Sequence, residues 1–319
     1  MSTATKVPET WELTGDDARK TLLDTGRLQL LKDAFVRLRA ADGFSHSRSL
    51  AFVTSLVLVQ GLIALVGFAA AFGDRGLSRE IVAAIRSAVP GPAGGLLTDA
   101  VEQARGVGAD HRFVPLILGL LGTLVTGMTA MGQIERGFNR IYGIERDRPT
   151  LEKYGRALIL TLAAGSCLAA AFLVFAFGRR SETTEGLLQT TWPYLRWPLG
   201  LVVATLALAA MLRWSPHRRQ PGWSWLTFGA ALCVAGWVLV TVLLGAALSV
   251  SSSFGETYGP LAGIVALQFW TLLSAIAIFF GAAVTAQLEA VRAGAPKPRA
   301  ALSAEAPPLR ASESSRFAS

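Results

Sequence analysis

The chain has 319 residues, of which 52% are hydrophobic and only 16% are charged, and its net charge is +8 at pH 7. Soluble domains usually devote about 25% of their residues to charge, so this composition excludes a soluble protein with an ordinary polar surface. Long segments must instead have lipid as their solvent. The sequence therefore predicts an all-α fold, a polytopic membrane helix bundle.

Residues 1–49 form a predicted cytoplasmic N-terminal segment. The segment is too long and too acidic for a signal peptide, and no small-residue cleavage site follows the first apolar run. Apolar residues at helical spacing lie among basic ones, which predicts an amphipathic helix in the plane of the inner leaflet. A cytoplasmic helix packed on the bundle is the open alternative. The apolar residues are Leu28, Leu31, Phe35 and Leu38, and the basic ones are Lys32, Arg37 and Arg39.

Residues 50–288 form the predicted transmembrane domain, in which six apolar stretches contain no Lys, Arg, Asp or Glu. About 20 apolar residues in a helix cross the ~30 Å hydrocarbon core of a bilayer, so each stretch predicts one transmembrane helix. The fourth stretch is the shortest. The six stretches are 50–72, 113–131, 157–178, 197–212, 225–248 and 260–288.

The basic residues predict the orientation of these helices. Lys and Arg number 22 in residues 1–49, 132–156, 213–224 and 289–319, which would lie on one side of the membrane. They number 8 in the segments that would lie on the other side, 73–112, 179–196 and 249–259. The positive-inside rule then predicts that both termini are cytoplasmic.

The stretch "GQIERGFNRIYGIERDRP", residues 132–149, follows the second apolar stretch and is predicted to be the first cytoplasmic loop. Phe138 and Tyr142 are one helical turn apart, which predicts that both rings are buried on the membrane side. Four basic residues of this stretch, together with Lys153 just beyond it, are expected to face anionic lipid headgroups. They are Arg136, Arg140, Arg146, Arg148 and Lys153.

Two further segments lie outside the predicted spans. Residues 77–105 predict two short amphipathic helices on the outer side, separated by "PGPAGG". Residues 289–319 form a predicted cytoplasmic tail, which from Gly294 is rich in Pro, Ala and Ser and is expected to be disordered.

The interiors of the predicted spans contain neutral polar residues rather than charged ones. Each of these side chains could line a transport pathway or could hydrogen-bond between helices. The candidates are Gln60, Thr123, Thr126 and Gln268.

The sequence offers little for enzyme chemistry. Cys167 and Cys233 lie deep in predicted spans, where they are expected to be packing residues. The three histidines lie in different connections, so no metal site and no cofactor are predicted. No phosphate-binding glycine-rich loop and no GxSxG nucleophile elbow occur. The basic residues follow the pattern that topology requires, so no nucleic-acid partner is predicted.

Three stretches together resemble the YihY/BrkB family of bacterial inner-membrane proteins, also labelled ribonuclease BN-like. They are "SRSLAFVTSLVL", "GQIERGFNRIYGIERDRP" and "ETYGPLAGIVALQFWTLLSAIAIFFGAAVTAQLE", and the resemblance runs from about residue 37 to residue 292. A motif after the second span matches residues 138–142, including Asn139 and Arg140. Tyr258 and Gly259 match the start of the last span. In two places the chain departs from the family pattern: Ala283 replaces an acid, and Phe228 replaces a proline.

The resemblance implies a six-helix bundle with both termini inside. It makes Asn139, Arg140, Tyr258 and Gly259 candidate functional residues, to which the residues themselves add Gln60 and Gln268. The predicted function is a non-enzymatic transporter of an amphiphile or another solute, or a role in envelope maintenance. A scaffold that binds other proteins is the alternative, and the residues do not support a ribonuclease. The predicted partners are the lipid bilayer and anionic headgroups at its cytoplasmic face, with a homo-oligomer left open.

Overall fold

The computed structural model describes residues 3–71, 75–111, 113–181, 187–250 and 261–299. These residues contain ten α-helices and no β-strand, apart from one isolated bridge between Ala4 and Arg299. The predicted all-α class is therefore confirmed. In chain order the helices are α1 (Gly15–Thr25), α2 (Arg27–Ala40), α3 (Gly43–Ala71), α4 (Arg75–Ala88), α5 (Gly91–Asp110), α6 (Val114–Ile141), α7 (Thr150–Ser181), α8 (Leu187–Trp214), α9 (Trp223–Val250) and α10 (Ala262–Arg292).

Five of these helices are long and apolar enough to cross a membrane: α3, α6, α9, α10 and the part of α8 from Trp197 to Trp214. Their outer surfaces expose large aliphatic side chains, such as Leu121 of α6 and Leu243 of α9. The third predicted span lies in α7, whose side chains from residue 168 onward are outside the described residues. Six crossings and the cytoplasmic position of both termini therefore stay predictions.

Helix α10 is the central helix of the bundle. It packs against α2, α3, α5 and α9, and every residue from 281 to 290 is buried. Small residues allow this packing, because Gly281 lies directly against the free, buried Cys233 of α9. The small residues of "GAAVTA", 281–286, thus lie where neighbouring helices leave little space.

Helices α3 and α6 are also in close contact, and glycine again makes this possible. A Cβ atom added to Gly119 would overlap the backbone of Ala64, and one added to Gly67 would overlap the backbone of Leu116. Small residues let transmembrane helices approach closely enough for extensive van der Waals packing. The two backbones therefore touch in the second half of α3.

Helices α4 and α5 contain residues 77–105, the segment predicted to be amphipathic. Their apolar faces bury Ile81, Ile85, Leu97 and Val101 in a cluster with side chains of α3 and α10. Gly91 at the start of α5 lies beside Leu248 of α9. The pair thus packs against the ends of the long helices.

The other end of the bundle is here called the polar end. It consists of residues 3–14, α1, α2, the connections 142–149 and 215–222, and the last two turns of α10. Helix α2 packs on α10 through Leu30, Ala34, Arg37 and Leu38, as in the alternative of a helix packed on the bundle. Leu28, Leu31 and Phe35 remain exposed, so their contact with lipid stays a prediction.

The first residues of the predicted tail lie against the N-terminal segment. The N–H of Thr5 donates to the carbonyl of Pro298 over 3.2 Å, and the amide of Gln287 donates to the carbonyl of Pro296 over 2.6 Å. Residues 300–319 lie outside the described residues, and their disorder stays a prediction.

Residues 132–149 differ from the expected loop in where the helix ends and in what buries the two rings. Helix α6 does not end at the last residue of the apolar run, Met131, but continues to Ile141. Phe138 and Tyr142 are fully buried inside the protein and present no surface to lipid. Phe138 packs edge to face on Phe279 of α10, with ring centroids 5.8 Å apart.

Candidate functional site

A cleft opens to the side of the bundle between α3, α5 and α6, and we call it the lateral cleft. Its volume is about 600 Å³, and aliphatic residues such as Ile63, Val107 and Leu118 form most of its wall. Gln60 and Gln103 contribute the amide groups of this wall. Ligand pockets commonly have volumes of about 300–1,000 Å³, apolar walls and a few polar groups, so the lateral cleft has the composition of a binding site for an amphiphile.

Among the predicted candidates that the structure describes, Gln60 alone lines the lateral cleft. It is half-buried, and its side chain lies over Gly122 of α6, where a Cβ atom would come within 2.5 Å of its Oε1 atom. The glycine therefore leaves the space that the amide occupies. Thr123, the next residue, has a buried hydroxyl without a hydrogen-bond partner among the described residues.

Gln268 lies elsewhere and has a partner. Its Nε2 atom donates to the Ser55 hydroxyl over 3.1 Å, which joins α10 to α3. Of the two alternatives for this residue, the geometry fits a hydrogen bond between helices. Tyr258 and Gly259 lie outside the described residues, so their functional role stays a prediction.

Asn139 connects the two loops of the polar end. Its side chain is fully buried. Its Nδ2 atom donates to Asp147 over 3.1 Å, and its Oδ1 atom accepts the backbone N–H of His217 over 2.8 Å. One amide therefore holds the connection after α6 to the connection after α8, which gives this residue a structural role in the described protein.

Arg140 holds the first of these connections in shape. Its guanidinium donates to the carbonyls of Ile144 and Glu145, both over 2.6 Å. It also lies 3.7 Å from Asp147. Burial would raise the pKa of Asp147, but the hydrogen bond from Asn139 and the neighbouring cations outweigh this effect and lower it. Asp147 therefore stays charged at neutral pH.

Two basic residues expected to face headgroups point into the protein instead. The Arg148 guanidinium lies 3.0 Å from the Glu135 carboxylate, and the side chains are only 4% and 3% exposed. The same guanidinium donates to the carbonyls of Ser215 and Pro216. Lys153 is also buried, 3.7 Å from Asp147. Acids in the same stretch neutralise Arg148 and Lys153, which allows these two cations to lie inside the protein. Arg136 and Arg146 are exposed.

A second group of buried charges lies at the centre of the polar end. Arg218 contacts the Glu289 carboxylate at 2.5 Å, and its guanidinium lies over the Tyr142 ring, 4.7 Å from the centroid. Arg37 donates to Gln287 over 2.8 Å and to the carbonyl of Thr5 over 2.9 Å. Burial lowers the pKa of Arg37 to about 10 and raises that of Tyr142. Arg37 is thus charged and Tyr142 neutral at pH 7.

Sequence reasoning missed this group. Arg37 was expected in a helix that either lies on the inner leaflet or packs on the bundle, and no ionic contact was predicted for it; it is fully buried. Gln287 belongs to the end of the sixth predicted span and Glu289 to the start of the predicted tail, and no contact was predicted for either. The available signal was weak: polar residues directly after a run of small residues, in "GAAVTAQLE".

The described residues contain no group of three or more His, Cys, Asp or Glu side chains that could hold a metal ion.

A protein-family model described as virulence factor BrkB matches residues 34–305, which is most of the chain. The chain belongs to the BrkB family. This confirms the resemblance read from the sequence. No solved structure matches the chain.

Individual relatives of this BrkB-family chain have low sequence identity to it, but some of them align with most of its length. The protein YfkH of Bacillus subtilis (strain 168), which is named a ribonuclease-like protein, is 25% identical over 269 residues, or 82% of this chain and 95% of that protein. A UPF0761 membrane protein of Chromohalobacter salexigens is 23% identical over 264 residues, covering 82% of this chain. The UPF0761 membrane protein Smlt0865 of Stenotrophomonas maltophilia (strain K279a) is 27% identical over 176 residues, covering 54% of this chain.

These matches cover 63% of the Chromohalobacter protein and 41% of the Stenotrophomonas protein, so both relatives are longer than the region they share with this chain. The family and the five apolar helices together identify a multi-pass bacterial membrane protein.

Proposed function

We propose that this BrkB-family protein moves an amphiphile, most simply a phospholipid, between the two sides of the membrane along the lateral cleft. The observation that carries the proposal is the cleft itself: about 600 Å³, open to the side, apolar, and provided with the amides of Gln60 and Gln103.

The position of the lateral cleft supports this proposal. Gln60 and Gly122 belong to two helices that are apolar enough to cross a membrane. If both helices cross, acyl chains would surround the opening of the cleft. An apolar chain could enter from the side without passing through water. A polar headgroup would meet amides in a region where a group without a hydrogen-bond partner is costly.

The neutral character of the cleft also bears on mechanism. The described part of its wall contains no acidic or basic side chain. Charged residues inside the membrane commonly mark proton or ion pathways. The proposed movement is therefore passive exchange down a concentration difference, without a coupled ion.

The test is leaflet exchange of a fluorescent phospholipid in proteoliposomes that contain the full chain. A membrane-impermeant reductant bleaches the outer leaflet, and the further loss of signal reports lipid that has crossed. Protein-free vesicles, vesicles with an unrelated six-span protein and a trapped water-soluble dye are the controls. We expect exchange well above both vesicle controls while the dye is retained.

Exchange no faster than in the vesicles with the unrelated protein would contradict the proposal. The alternative, a scaffold that binds other proteins in the envelope, would then be the next function to test, by crosslinking in cells.

A further inference from the structure

A second cleft lies at the polar end, and we call it the arginine cleft. Its volume is about 440 Å³. It shares no lining residue with the lateral cleft. Four arginines from α7, α8 and the connection after α8 line it together with two tryptophans and a glutamine: Arg156, Arg213, Arg218, Arg219, Trp11, Trp214 and Gln220.

The charges in the arginine cleft are poorly balanced. Among the described residues that line it there is no Asp or Glu. Arg218 pairs with Glu289 beneath the cleft, whereas Arg156, Arg213 and Arg219 have no ion pair within the described chain. Other contacts hold them: Arg156 donates to the carbonyl of Trp214 over 3.2 Å and Arg213 to that of Pro221 over 2.8 Å. The Arg219 guanidinium lies 5.9 Å from the ring centroid of Trp11.

The buried side of the cleft carries polar atoms without partners. The Arg218 side chain is only 3% exposed. Its Nη1 atom is buried and has no hydrogen-bond partner within the described chain. Both amide atoms of the buried Gln220 are in the same state. A buried donor without an acceptor costs about 1–3 kcal/mol. The oxygens of one anion can accept from both donors of this cationic cleft, whereas the Oε1 atom of Gln220 needs a donor such as a hydroxyl group.

The rim of the cleft indicates the source of this anion. Trp214 ends α8 and Trp223 begins α9, both helices being apolar enough to cross a membrane, and the two rings are 47% and 44% exposed. Exposed tryptophans at helix ends typically lie at the level of lipid headgroups. Guanidinium groups bind phosphate through paired hydrogen bonds.

We propose that the arginine cleft binds the phosphate group of an anionic phospholipid. A glycerol headgroup fits it best, because its hydroxyls can donate to the oxygen of the Gln220 amide while the phosphate accepts from Arg218 and Gln220. This site is separate from the lateral cleft, and neither proposal depends on the other.

The test measures phosphatidylglycerol binding to the detergent-purified full chain by native mass spectrometry. The double variant Arg156→Gln/Arg219→Gln removes two cleft charges that have no ion pair. The matched control, Arg27→Gln/Arg146→Gln, removes two exposed arginines of the polar end that lie outside the cleft. We expect the dissociation constant to rise at least tenfold in the cleft variant and less than threefold in the control.

A second variant, Gln220→Met, tests the buried side of the cleft. It removes an amide that has no partner within the described chain, so we expect weaker lipid binding without a lower unfolding temperature. Glycerol 3-phosphate serves as the soluble competitor, and we expect it to bind at least tenfold more weakly than the lipid.

Three results would overturn the proposal. The first is no stoichiometric binding of phosphatidylglycerol to the unaltered protein. The second is an equal loss of binding in the cleft and control variants, which would mean diffuse surface charge. The third is soluble glycerol 3-phosphate binding as tightly as the lipid, which would assign the cleft to a water-soluble phosphate compound instead.

Discussion

Two glutamines with the same sequence context have different surroundings in the folded protein. Gln60 and Gln268 both interrupt apolar runs, and the sequence alone gives each the same two alternatives. Gln60 lies in the wall of the lateral cleft, whereas Gln268 donates a hydrogen bond to Ser55 on a neighbouring helix. The first can meet a passing molecule, while the second contributes to packing.

This difference leads to opposite expectations for the two leucine variants. Gln60→Leu should slow phospholipid exchange about tenfold, because one hydrogen bond to the crossing headgroup is lost, and should leave the unfolding temperature unchanged. Gln268→Leu should lower stability by about 0.6 kcal/mol, the usual value for such a bond between membrane helices, and leave exchange unchanged. Exchange assays and thermal unfolding of both purified variants would check this. The reverse pattern would contradict the assignment.

The buried ionic residues of the polar end show what sequence could not reveal at this scale. Arg148 and Lys153 belong to a charged stretch next to a membrane span, which is also how headgroup-facing residues look. Their partners Glu135 and Asp147 are in the same stretch, but only the fold determines that they lie within 3.0 Å and 3.7 Å of the basic nitrogens. A functional role for Asn139 of the family motif stays a prediction, and its contacts with Asp147 and His217 are those of a structural residue.

Among the helices, α3 and α6 together contribute most of the residues that line the lateral cleft. The backbones touch at Gly67 and Gly119, where any larger residue would overlap the other helix. The cleft lies beside this contact, where Gly122 leaves room for the Gln60 side chain. Any residue that separates the two helices should therefore disturb both the fold and the cleft.

Alanine at one glycine tests this contact. In Gly119→Ala the new methyl group would overlap the backbone of Ala64, and because backbone cannot move aside easily, we expect a loss of about 1–3 kcal/mol. Gly165→Ala in α7 is the matched control, since a methyl group there meets nothing within 4 Å. Thermal unfolding in detergent would compare them, and equal stability of the two variants would contradict the close approach of α3 and α6.

The sequence predicted the apolar helices well because lipid demands long uncharged runs. It placed their ends less well, because a helix can continue into a polar region when the protein itself satisfies the charges there. Helix α6 extends ten residues past Met131 to Ile141 for this reason. The lateral cleft was also beyond prediction, because it depends on which helices are neighbours and not on any one of them.

The whole molecule has two different regions along its length. The polar end is tightly connected by buried arginines, carboxylates and amides from the N-terminal segment, two connections and α10. The opposite half contains the lateral cleft, with few polar groups and an opening to the side. In the proposed mechanism the polar end supports the helices that form the lateral cleft.

The measurement that tests the central claim most directly is phospholipid exchange by a variant whose lateral cleft is filled. Ala100→Trp places a large ring in the wall of the cleft, whereas Ala109→Trp places the same ring on an exposed position of the same helix that does not line it. We predict that exchange falls to the level of vesicles with an unrelated protein in the first variant and is unchanged in the second, with both variants folded. Unchanged exchange in folded Ala100→Trp protein would contradict a pathway through the lateral cleft.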